Sequence, residues 1–540
     1  MPRLTANFTD IHARKIYAAS IEFNDRLISV NPLDFKEDKS LPYLLPGFID
    51  AHVHIESSML IPAEFARIAV THGTVATVSD PHEIANVCGI EGVDFMINNG
   101  LKTPFKFFFG APSCVPATSF ETAGAELNSQ KVKQLLENPK IKYLSEMMNF
   151  PGALQGDPEV LAKIAAAHAL GKPVDGHAPG LRGETARLYI ERGISTDHEC
   201  FTLDEALDKL KYGMKIIIRE GSAARNFEAL YPLIDQFPEM VMFGSDDKHP
   251  DELVSGHINL LCKRAVKKGM NVFNVLAAAC VNPSTHYKLD TGLLQINDPA
   301  DFILVDTLEN FLVKQTYING TLVADHGVSL ISAHQEDIKL NRFNCEMKSM
   351  SDLECIADGP YHWPIIEALD GQLITNKEFI QPKNENGFFV SDTSTDVLKI
   401  VVINRYFDAP PAIAFIKNFG LKQGAIASSV AHDSHNIIAV GTEDESMLKA
   451  INMIIASKGG IACIKDNLEM VLPLPVGGLM SSDDGYKIAE LYSIIDKAAK
   501  DAGSTLRSPF MTLSFMALLV IPHVKLSDKG LFDGDAFKMF

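Results

Sequence analysis

The sequence lacks the features that would make it a membrane protein, a secreted protein or a nucleic-acid-binding protein. Its longest apolar run, Phe510–Pro522, contains Thr512 and Ser514 and is shorter than the roughly 20 apolar residues that a membrane-spanning helix needs. No apolar run follows Arg3, so we expect no secretory signal. With a formal net charge of −19, the chain also lacks the positive charge that would attract nucleic acids or anionic membranes. We therefore expect neither as a partner.

The eight cysteines include no C-x-x-C pair and are scattered between Cys88 and Cys463. In a chain of 540 residues this spacing is typical of reduced, mostly buried thiols and not of a disulfide framework. The sequence thus predicts a cytoplasmic protein. No phosphate-loop pattern follows Gly477-Gly478, which we interpret as a turn.

What is present is the composition of a globular protein with a large core. Apolar residues make up 46% of the chain and charged residues 22%. The length corresponds to roughly two to four domains of ordinary size. From residue 46 onwards, short apolar runs alternate with longer helical patterns, which is typical of βα units. The predicted strands are Leu44–Ile49, Thr74–Ser79, Phe105–Phe109, Ile141–Leu144, Pro173–Val174, Ile194–Thr196, Lys215–Ile218 and Met240–Phe243.

Eight βα units in about 240 residues match the size of a (β/α)8 barrel of the TIM type. The flanking segments 1–45 and 289–331 contain short strand patterns, the second with an Asn319-Gly320 hairpin turn, and are predicted to form one small β-sandwich domain. The barrel, residues 46–288, would then be an insertion in that two-part domain. Residues 345–540 are predicted to form a C-terminal α+β domain. The predicted fold class is α/β.

Metal-ligand side chains occur at the ends of several predicted strands. His52 and His54 follow the first strand two positions apart, so on an extended segment their rings point to the same side. The carboxyl ends of parallel barrel strands meet on one face, where other strand ends place further side chains of this type. The full set is His52, His54, Glu146, His177, His198 and Asp246.

Taken singly, each of these side chains is more often a hydrogen-bonded structural residue than a metal ligand. Their joint occurrence on one face favours a site for two divalent cations, with Glu146 suited to bridge them. Two bridging cations would lower the pKa of a shared water towards neutrality and make hydroxide available as a nucleophile.

Longer motifs surround these side chains. They are Pro46–Met59, Ser79–Val87, Ser145–Asn149, Asp175–Gly180, Asp197–Glu199, Arg219–Ser222, Ser245–Asp247 and Ala431–Asn436. Together they resemble the amidohydrolase superfamily and, within it, the bacterial adenine deaminases, which convert adenine to hypoxanthine and ammonia. The His-x-His pair alone marks only the superfamily, whereas Ile55–Met59, Asp80–Glu83 and His432–Asn436 are more specific. The segment before Pro46 is shorter than is usual for the family.

This resemblance implies a hydrolase with a small-molecule purine substrate and two divalent cations per chain, with Mn²⁺ or Fe²⁺ favoured and Zn²⁺ possible. It implies that hydroxide attacks C6 of adenine and that Asp246 passes the proton to the leaving amine. It also implies a role in purine salvage and a homo-oligomer, with a dimer favoured. Many binuclear amidohydrolases bridge their metals with a lysine at the end of strand four that carbon dioxide has carboxylated. Here Lys140 and Lys142 lie at the entrance of the fourth strand, and its exit carries Glu146. The carboxylate of Glu146 can bridge two ions without carbon dioxide. The signature of the zinc-dependent cytidine deaminases is absent, which excludes that fold.

Several other polar residues are interpreted as parts of the site. The candidates to protonate a ring nitrogen or to contact the purine edge are Glu56, His82 and Glu220. Of these, Glu56 and His82 are predicted to be catalytic residues, as is Asp246. Ser222 is a further predicted substrate contact. For Glu56, His82 and Glu220 the alternative is support of the metal ligands.

Two further groups have structural interpretations beside functional ones. For Glu83 and Glu199 we favour helix capping or the orientation of a ligand. His432, Asp433 and His435 are predicted to form a lid over the barrel mouth or an extra ion site, with a buried hydrogen-bond cluster as the alternative.

Two other functions stay open at this point. The same metal site would serve the hydrolysis of a cyclic amide such as a hydantoin or dihydroorotate, since the pocket selects the substrate. Glu146 in place of a bridging lysine and the additional C-terminal domain count against that reaction. A metal-binding barrel without turnover is the third possibility, and the complete set of ligands with an acid–base aspartate argues against it.

Overall fold

The chain opens with the first half of a mixed β-sheet. The computed structural model describes residues 2–333, 336–357 and 362–540. Along the first strand, Ala6 and Phe8 point into the same core, as alternate residues of a strand do. The strands of this half are β1 (Arg3–Asp10), β2 (Lys15–Phe23), β3 (Leu27–Pro32) and β4 (Tyr43–Pro46).

The next strands form a barrel. They are β5 (Phe48–His54), β6 (Thr74–Ser79), β7 (Lys106–Ala111), β8 (Ile141–Met147), β9 (Val174–Gly176), β10 (Thr196–Asp197), β11 (Lys215–Arg219), β12 (Val241–Gly244) and β13 (Asp246–Asp247). Parallel neighbours run from β5 to β9 and from β10 to β12. Asp246 of β13 pairs opposite Val53 of β5, and the N–H of Ser195 donates to the carbonyl of Val174 at 2.9 Å. These contacts join the two groups of strands into a curled barrel, which confirms the predicted fold class.

Helices follow the barrel strands and begin where the sequence supplies caps. The Asp157 carboxylate accepts hydrogen bonds from the N–H groups of Glu159 and Val160, with Pro158 in the first turn of that helix. The helices are α1 (Pro62–Ala69), α2 (His82–Cys88), α3 (Ile90–Gly100), α4 (Ser129–Glu137), α5 (Phe150–Gln155), α6 (Pro158–Ala169), α7 (Gly183–Glu191), α8 (Leu203–Leu210), α9 (Phe227–Leu230), α10 (Leu233–Gln236), α11 (Pro250–Ser255), α12 (Ile258–Lys267), α13 (Val272–Leu276) and α14 (Asn282–Tyr287).

The second half of the first sheet follows the barrel. Its strands are β14 (Phe302–Val305), β15 (Val313–Ile318), β16 (Thr321–Asp325) and β17 (Val328–Ser329). Phe302 of β14 lies opposite Pro46 of β4, so the segments before and after the barrel share one sheet. Asn319 and Gly320 connect β15 to β16 with φ angles of 45° and 69°, the left-handed conformation that an Asn-Gly hairpin turn requires.

A second mixed sheet forms the centre of the C-terminal region. Val401 and Ile403 face α15, whereas Ile400 and Val402 join a core cluster that continues into the barrel. One face of this sheet therefore packs towards the barrel. The elements are β18 (Trp363–Ala368), β19 (Thr375–Ile380), β20 (Lys383–Glu385), β21 (Phe388–Val390), β22 (Leu398–Ile403), β23 (Ala412–Lys417), β24 (Ala425–Ser428), β25 (Ile437–Gly441), β26 (Gly460–Lys465), β27 (Leu468–Pro473), β28 (Val524–Ser527), β29 (Gly530–Asp533), β30 (Lys538–Met539), α15 (Asp444–Ser457), α16 (Gly485–Asp501) and α17 (Pro509–Phe515).

The domain boundaries stay a prediction. The predicted segments 1–45 and 345–540 include Met1 and residues 358–361, which lie outside the described residues.

Across the part of the chain that is described, no helix combines the length and the apolar character needed to cross a membrane.

Candidate active site

His52 and His54 project into the barrel from the carboxyl end of β5. Both rings are buried, and their centroids are 4.8 Å apart. Nε2 of His52 and Nε2 of His54 lie 3.4 and 3.2 Å from Oδ1 of Asp246. This convergence follows from the alternation of side chains along a strand.

Glu146, near the end of β8, occupies the centre of the predicted ligand set. Its Oε1 lies 3.3 Å from Nε2 of His54. Its Oε2 lies 2.7 Å from Nδ1 of His177 and 3.3 Å from Nε2 of His198. The ring of His198 in turn stacks on that of His52 with centroids 4.0 Å apart. The two carboxylate oxygens of Glu146 therefore face different histidines, and its role as a bridging ligand stays a prediction.

Asp246 completes the set from β13. Its φ of 56° lies in the left-handed region, which aspartate and asparagine tolerate better than most residues. Its Oδ1 faces the two histidines of β5, and its Oδ2 accepts a hydrogen bond from Nη1 of Arg219 at 2.6 Å. The structure therefore brings all six predicted ligands into one buried cluster.

Other side chains extend the cluster beyond these six. Nδ1 of His82 lies 3.1 Å from Oδ2 of Asp80 and 3.6 Å from Oε1 of Glu146. Oε1 of Glu199 lies 3.3 Å from Nε2 of His198. The sequence interpretation gave Glu199 only a supporting role and did not select Asp80. Their positions in the sequence could have identified them, because both residues follow predicted strands.

Buried nitrogen atoms without partners indicate that the cluster fits metal ions. Both ring nitrogens of His52 and Nε2 of His177 are buried and have no hydrogen-bond partner within the described residues. A buried polar atom left unpaired costs about 1–3 kcal/mol unless something binds it. Imidazoles together with carboxylates are donors that divalent manganese, iron and zinc accept.

Burial and the neighbouring charges set the protonation of the cluster. Burial alone would lower the pKa of His54 and of His198. Nearby carboxylates outweigh burial and hold both pKa values well above the ordinary value. The main carboxylate is Asp246 for His54 and Glu146 for His198. Burial alone would raise the pKa of Glu146, but His177 and His198 outweigh it and hold that pKa well below the usual range. Protons and divalent cations therefore compete for the same nitrogen atoms.

A hydrogen-bond chain behind the cluster holds the turn that carries Asp246. The Asp50 carboxylate accepts hydrogen bonds from the N–H of Ser245 at 2.9 Å and from its hydroxyl at 2.5 Å. Nε2 of His257 lies 2.8 Å from the same carboxylate, and Nδ1 of this ring is 2.7 Å from Oγ1 of Thr74. These contacts orient a proposed metal ligand through its neighbours.

Lys209, which the sequence analysis did not select, links two loops that carry histidines. Its Nζ donates to Oδ2 of Asp197 at 2.9 Å and to the carbonyl of Ala178 at 2.6 Å. Oδ1 of Asp197 also accepts from the N–H of Ala178 at 2.9 Å. Since Asp197 precedes His198 and Ala178 follows His177, this buried network sets the spacing of the two rings.

The end of β11 shows a side chain that strand alternation could have identified. Arg219 points into the barrel with Ile217, and its Nη2 donates to Oε2 of Glu199 at 2.8 Å. Glu220 points the other way, and its Oε1 lies 2.6 Å from Nη1 of Arg264. The structure thus places Arg219, and not the predicted Glu220, beside the cluster.

Ser222 and Glu56 are not among the residues that line the pocket. The hydroxyl oxygen of Ser222 accepts from the N–H of His249 at 2.9 Å. Oε1 of Glu56 accepts from the N–H of Ile84 at 3.1 Å, so this carboxyl supports the helix α2 that carries His82. Burial raises the pKa of Glu56 to about 7.

His432, Asp433 and His435 reach the barrel mouth from the C-terminal region. Nδ1 of His432 and Nε2 of His435 both make short hydrogen bonds to the Glu83 carboxylate. Oδ1 of Asp433 lies 3.5 Å from Nε2 of His82. The segment therefore contacts Glu83 and His82 at the mouth of the barrel. The predicted lid or ion site formed by His432, Asp433 and His435 stays a prediction.

Apolar side chains complete the wall of the pocket. Met148 follows β8, whereas Leu373, Phe515 and Leu518 come from the C-terminal region. Nζ of the buried Lys525 donates to the carbonyls of Leu373 at 2.6 Å and of Phe515 at 2.9 Å. This lysine therefore joins the two segments that supply the wall.

We expect the stability of the protein to gain a contribution from Lys525 as the pH rises from 7 to 9. Burial lowers the pKa of Lys525 to about 7, whereas a lysine in an unfolded chain titrates near 10.4. The unfolded chain binds more protons between these values, so the free energy of unfolding rises by about 2 kcal/mol over this interval. Lys525→Met should lose this contribution, which is measured as the change in Tm between pH 7 and pH 9. The exposed Lys538→Met is the control, and an equal pH dependence in both variants would contradict the assignment.

Comparisons with known proteins show which families this chain resembles. The model of the amidohydrolase family matches residues 43–323, and that of the adenine deaminase C-terminal domain matches residues 372–538. An adenine deaminase of Sulfurovum sp. (strain NBC37-1) is 54% identical over 536 residues, 99% of this chain and 98% of that protein. The adenine deaminase of Borreliella burgdorferi is 49% identical over 544 residues, with 99% and 98% covered. Among solved structures, an N-acetyl-D-glucosamine-6-phosphate deacetylase from Mycobacterium smegmatis aligns with 60% of this chain and 100% of its own at 17% identity and a TM-score of 0.46.

The chain is therefore an amidohydrolase, since that family's model covers about half of it, including the barrel and all six predicted ligands. More narrowly, it belongs to the adenine deaminase family. Its identity to adenine deaminases extends over nearly the whole length, and it contains their C-terminal domain.

Proposed function

We propose that this protein removes the amino group of adenine by hydrolysis, releasing hypoxanthine and ammonia, and that it serves purine salvage. The observation that carries the proposal is a buried cluster of imidazoles and carboxylates in a pocket walled by the adenine deaminase C-terminal domain. A barrel alone supports many reactions, because the site and not the fold selects the substrate.

The proposed metal site holds two divalent cations, with Mn²⁺ or Fe²⁺ favoured and Zn²⁺ possible. When bound, such cations supply a water whose pKa is lowered towards neutrality. Metal analysis and activity of protein grown with iron chelated and manganese supplied test which metal is used. The proposed ligands are His52, His54, Glu146, His177, His198 and Asp246.

Asp246 is the proposed proton carrier. Burial alone would raise its pKa, but Arg219 outweighs this effect and holds the pKa of Asp246 well below the usual range. An ionised carboxylate can accept the proton of the attacking water and deliver it to the leaving amine. The 2.6 Å contact with Arg219 also fixes the orientation of the carboxylate.

His82 is the proposed donor to a ring nitrogen of the purine, which gains electron density during attack at C6. It lines the pocket, and Asp80 and Glu83 hold its pKa well above the ordinary value despite burial. In this proposal Glu56 supports α2 behind His82, and Glu220 has no substrate contact.

Release of ammonia from adenine tests the proposal. We expect turnover of adenine by the metal-loaded protein and none of hydantoin or dihydroorotate. Turnover of a cyclic amide without turnover of adenine would favour the cyclic-amide hydrolase. Turnover of neither would favour a metal-binding barrel without enzymatic activity.

We also propose that the protein is a homodimer and lies in the cytoplasm. The proposed domains are a small β domain formed by residues 1–45 and 289–331, a barrel of residues 46–288, and a C-terminal domain of residues 345–540. Sedimentation of the purified protein tests the dimer. The scattered cysteines, which include no C-x-x-C pair and are typical of reduced thiols, support the location.

A further inference from the structure

Asp433 brings a buried carboxylate with a free oxygen to the wall of the pocket. The residue is 2% exposed and lines the pocket together with the proposed metal ligands. Its Oδ1 lies 3.5 Å from Nε2 of His82, whereas its Oδ2 has no hydrogen-bond partner among the described residues. A buried carboxylate oxygen is unfavourable without a donor, so this oxygen is available to a donor on a bound molecule.

The neighbours of Asp433 hold it in this position. His432 and His435 on either side both hydrogen bond to Glu83 of the barrel helix α2. The hydroxyl of Tyr406 donates at 2.5 Å to the carbonyl of the residue after Asp433. The carboxylate is therefore presented by a segment that hydrogen bonds hold on both sides.

The rest of this wall suits the faces of a flat heterocycle. Adenine carries its amino group at C6 of the six-membered ring and its ring N–H on the five-membered ring. In the orientation proposed below, C6 faces Asp246 and Glu146 and the five-membered ring faces the C-terminal wall. Aromatic and aliphatic side chains cover the faces of such a base well. The apolar side chains of the wall are Met148, Leu373, Phe515 and Leu518.

We propose that Asp433 accepts a hydrogen bond from the N–H of the five-membered ring and thereby selects the free purine base over bases substituted at N9. This inference rests on the proposed adenine deamination and gives Asp433 a direct contact with the substrate. A 9-substituted base has no N–H to offer, and it leaves the carboxylate buried and unpaired. A site built to bind a donor group rejects an analogue that lacks the donor far more strongly than an apolar pocket does.

Glu121 provides the competing explanation for the free oxygen of Asp433. This glutamate is buried, its Oε2 has no partner in the described part of the chain, and burial together with the charge of Asp433 raises its pKa to about 8. A proton shared between the two carboxyl groups would satisfy Asp433 without any substrate. Glu121→Gln separates the two explanations, because it removes the shared proton and leaves the Asp433 carboxylate in place.

The experiment compares adenine with 9-methyladenine, used as a substrate or as a competitive inhibitor. In the metal-loaded wild-type protein we expect adenine to be preferred at least about 100-fold. Asp433→Asn should lower kcat/KM for adenine about 10- to 100-fold, mainly through KM, and change the value for 9-methyladenine less than about threefold. Metal content should equal that of the wild type. Glu121→Gln and the exposed control Asp466→Asn should keep the wild-type preference.

Three results would overturn the inference. They are an unchanged preference in Asp433→Asn, a loss of metal in that variant, or an equal loss of preference in Glu121→Gln. A wild-type protein that deaminates adenine while Asp433→Asn behaves normally rejects this inference and leaves the proposed function standing. A wild-type protein that neither deaminates nor binds adenine rejects both.

Discussion

Asp246→Asn should lower adenine turnover by about 10³- to 10⁴-fold while the fold and most of the bound metal are retained. Asparagine has nearly the same shape and, like aspartate, tolerates the left-handed backbone at this position, where φ is 56°. Its amide oxygen can still face the two histidines of β5. What it cannot do is accept a proton and return it, so the loss should fall on kcat.

The control for this variant is Asp466→Asn. Asp466 is an exposed aspartate with a φ of 52°, so the same exchange is made in the same backbone conformation away from the site. Steady-state kinetics, metal analysis and thermal unfolding are measured on both variants. Near-normal deamination by Asp246→Asn would end the proposed role as proton carrier, and a variant that has lost its metal would show that Asp246 acts mainly as a ligand.

Glu146→Gln should reduce the number of divalent cations per chain and remove activity with them. Glu146 contacts His54 through one oxygen and His177 and His198 through the other, at distances between 2.7 and 3.3 Å. A neutral amide has one good oxygen donor, so it cannot attract and bridge two cations as a carboxylate does. We expect at most one tightly bound ion, because the remaining histidines still offer a partial site.

The matched control is Glu64→Gln, in which another buried glutamate loses its charge at a distance from the cluster. Glu64 accepts from the N–H of Gly485 at 2.9 Å and pairs with Arg67. Its substitution should cost stability without changing metal content. Elemental analysis of both variants decides the matter: an unchanged metal content in Glu146→Gln would mean that Glu146 does not bridge the ions.

The proposed ligand set was within reach of sequence reasoning because it depends on short-range geometry. Alternation along β5 puts His52 and His54 on one side, and parallel strands bring Glu146 and Asp246 to the same end of the barrel. The same alternation would have selected Arg219 instead of Glu220, which instead contacts Arg264 among the outer helices. Residue 219 is an inward position of β11 and residue 220 an outward one, so a polar side chain at the strand end is not by itself a sign of a place in the site.

The cover of the pocket could not be derived in this way. His432 and Glu83 are 349 residues apart, and no local pattern relates the end of one barrel strand to a loop in a different sheet. The same holds for Lys525, whose Nζ donates to the carbonyls of Leu373 and Phe515 in two distant segments. Such contacts depend on how the C-terminal sheet packs on the barrel.

The sequence by itself therefore determined the barrel class and the side chains offered as metal ligands, since periodicity and strand ends are local properties of the chain. The packing of the C-terminal region determined which side chains meet those ligands, which of them stay without a partner, and where the pocket closes. The free oxygen of Asp433 became visible only in the folded chain, because a missing partner is a property of everything that surrounds an atom.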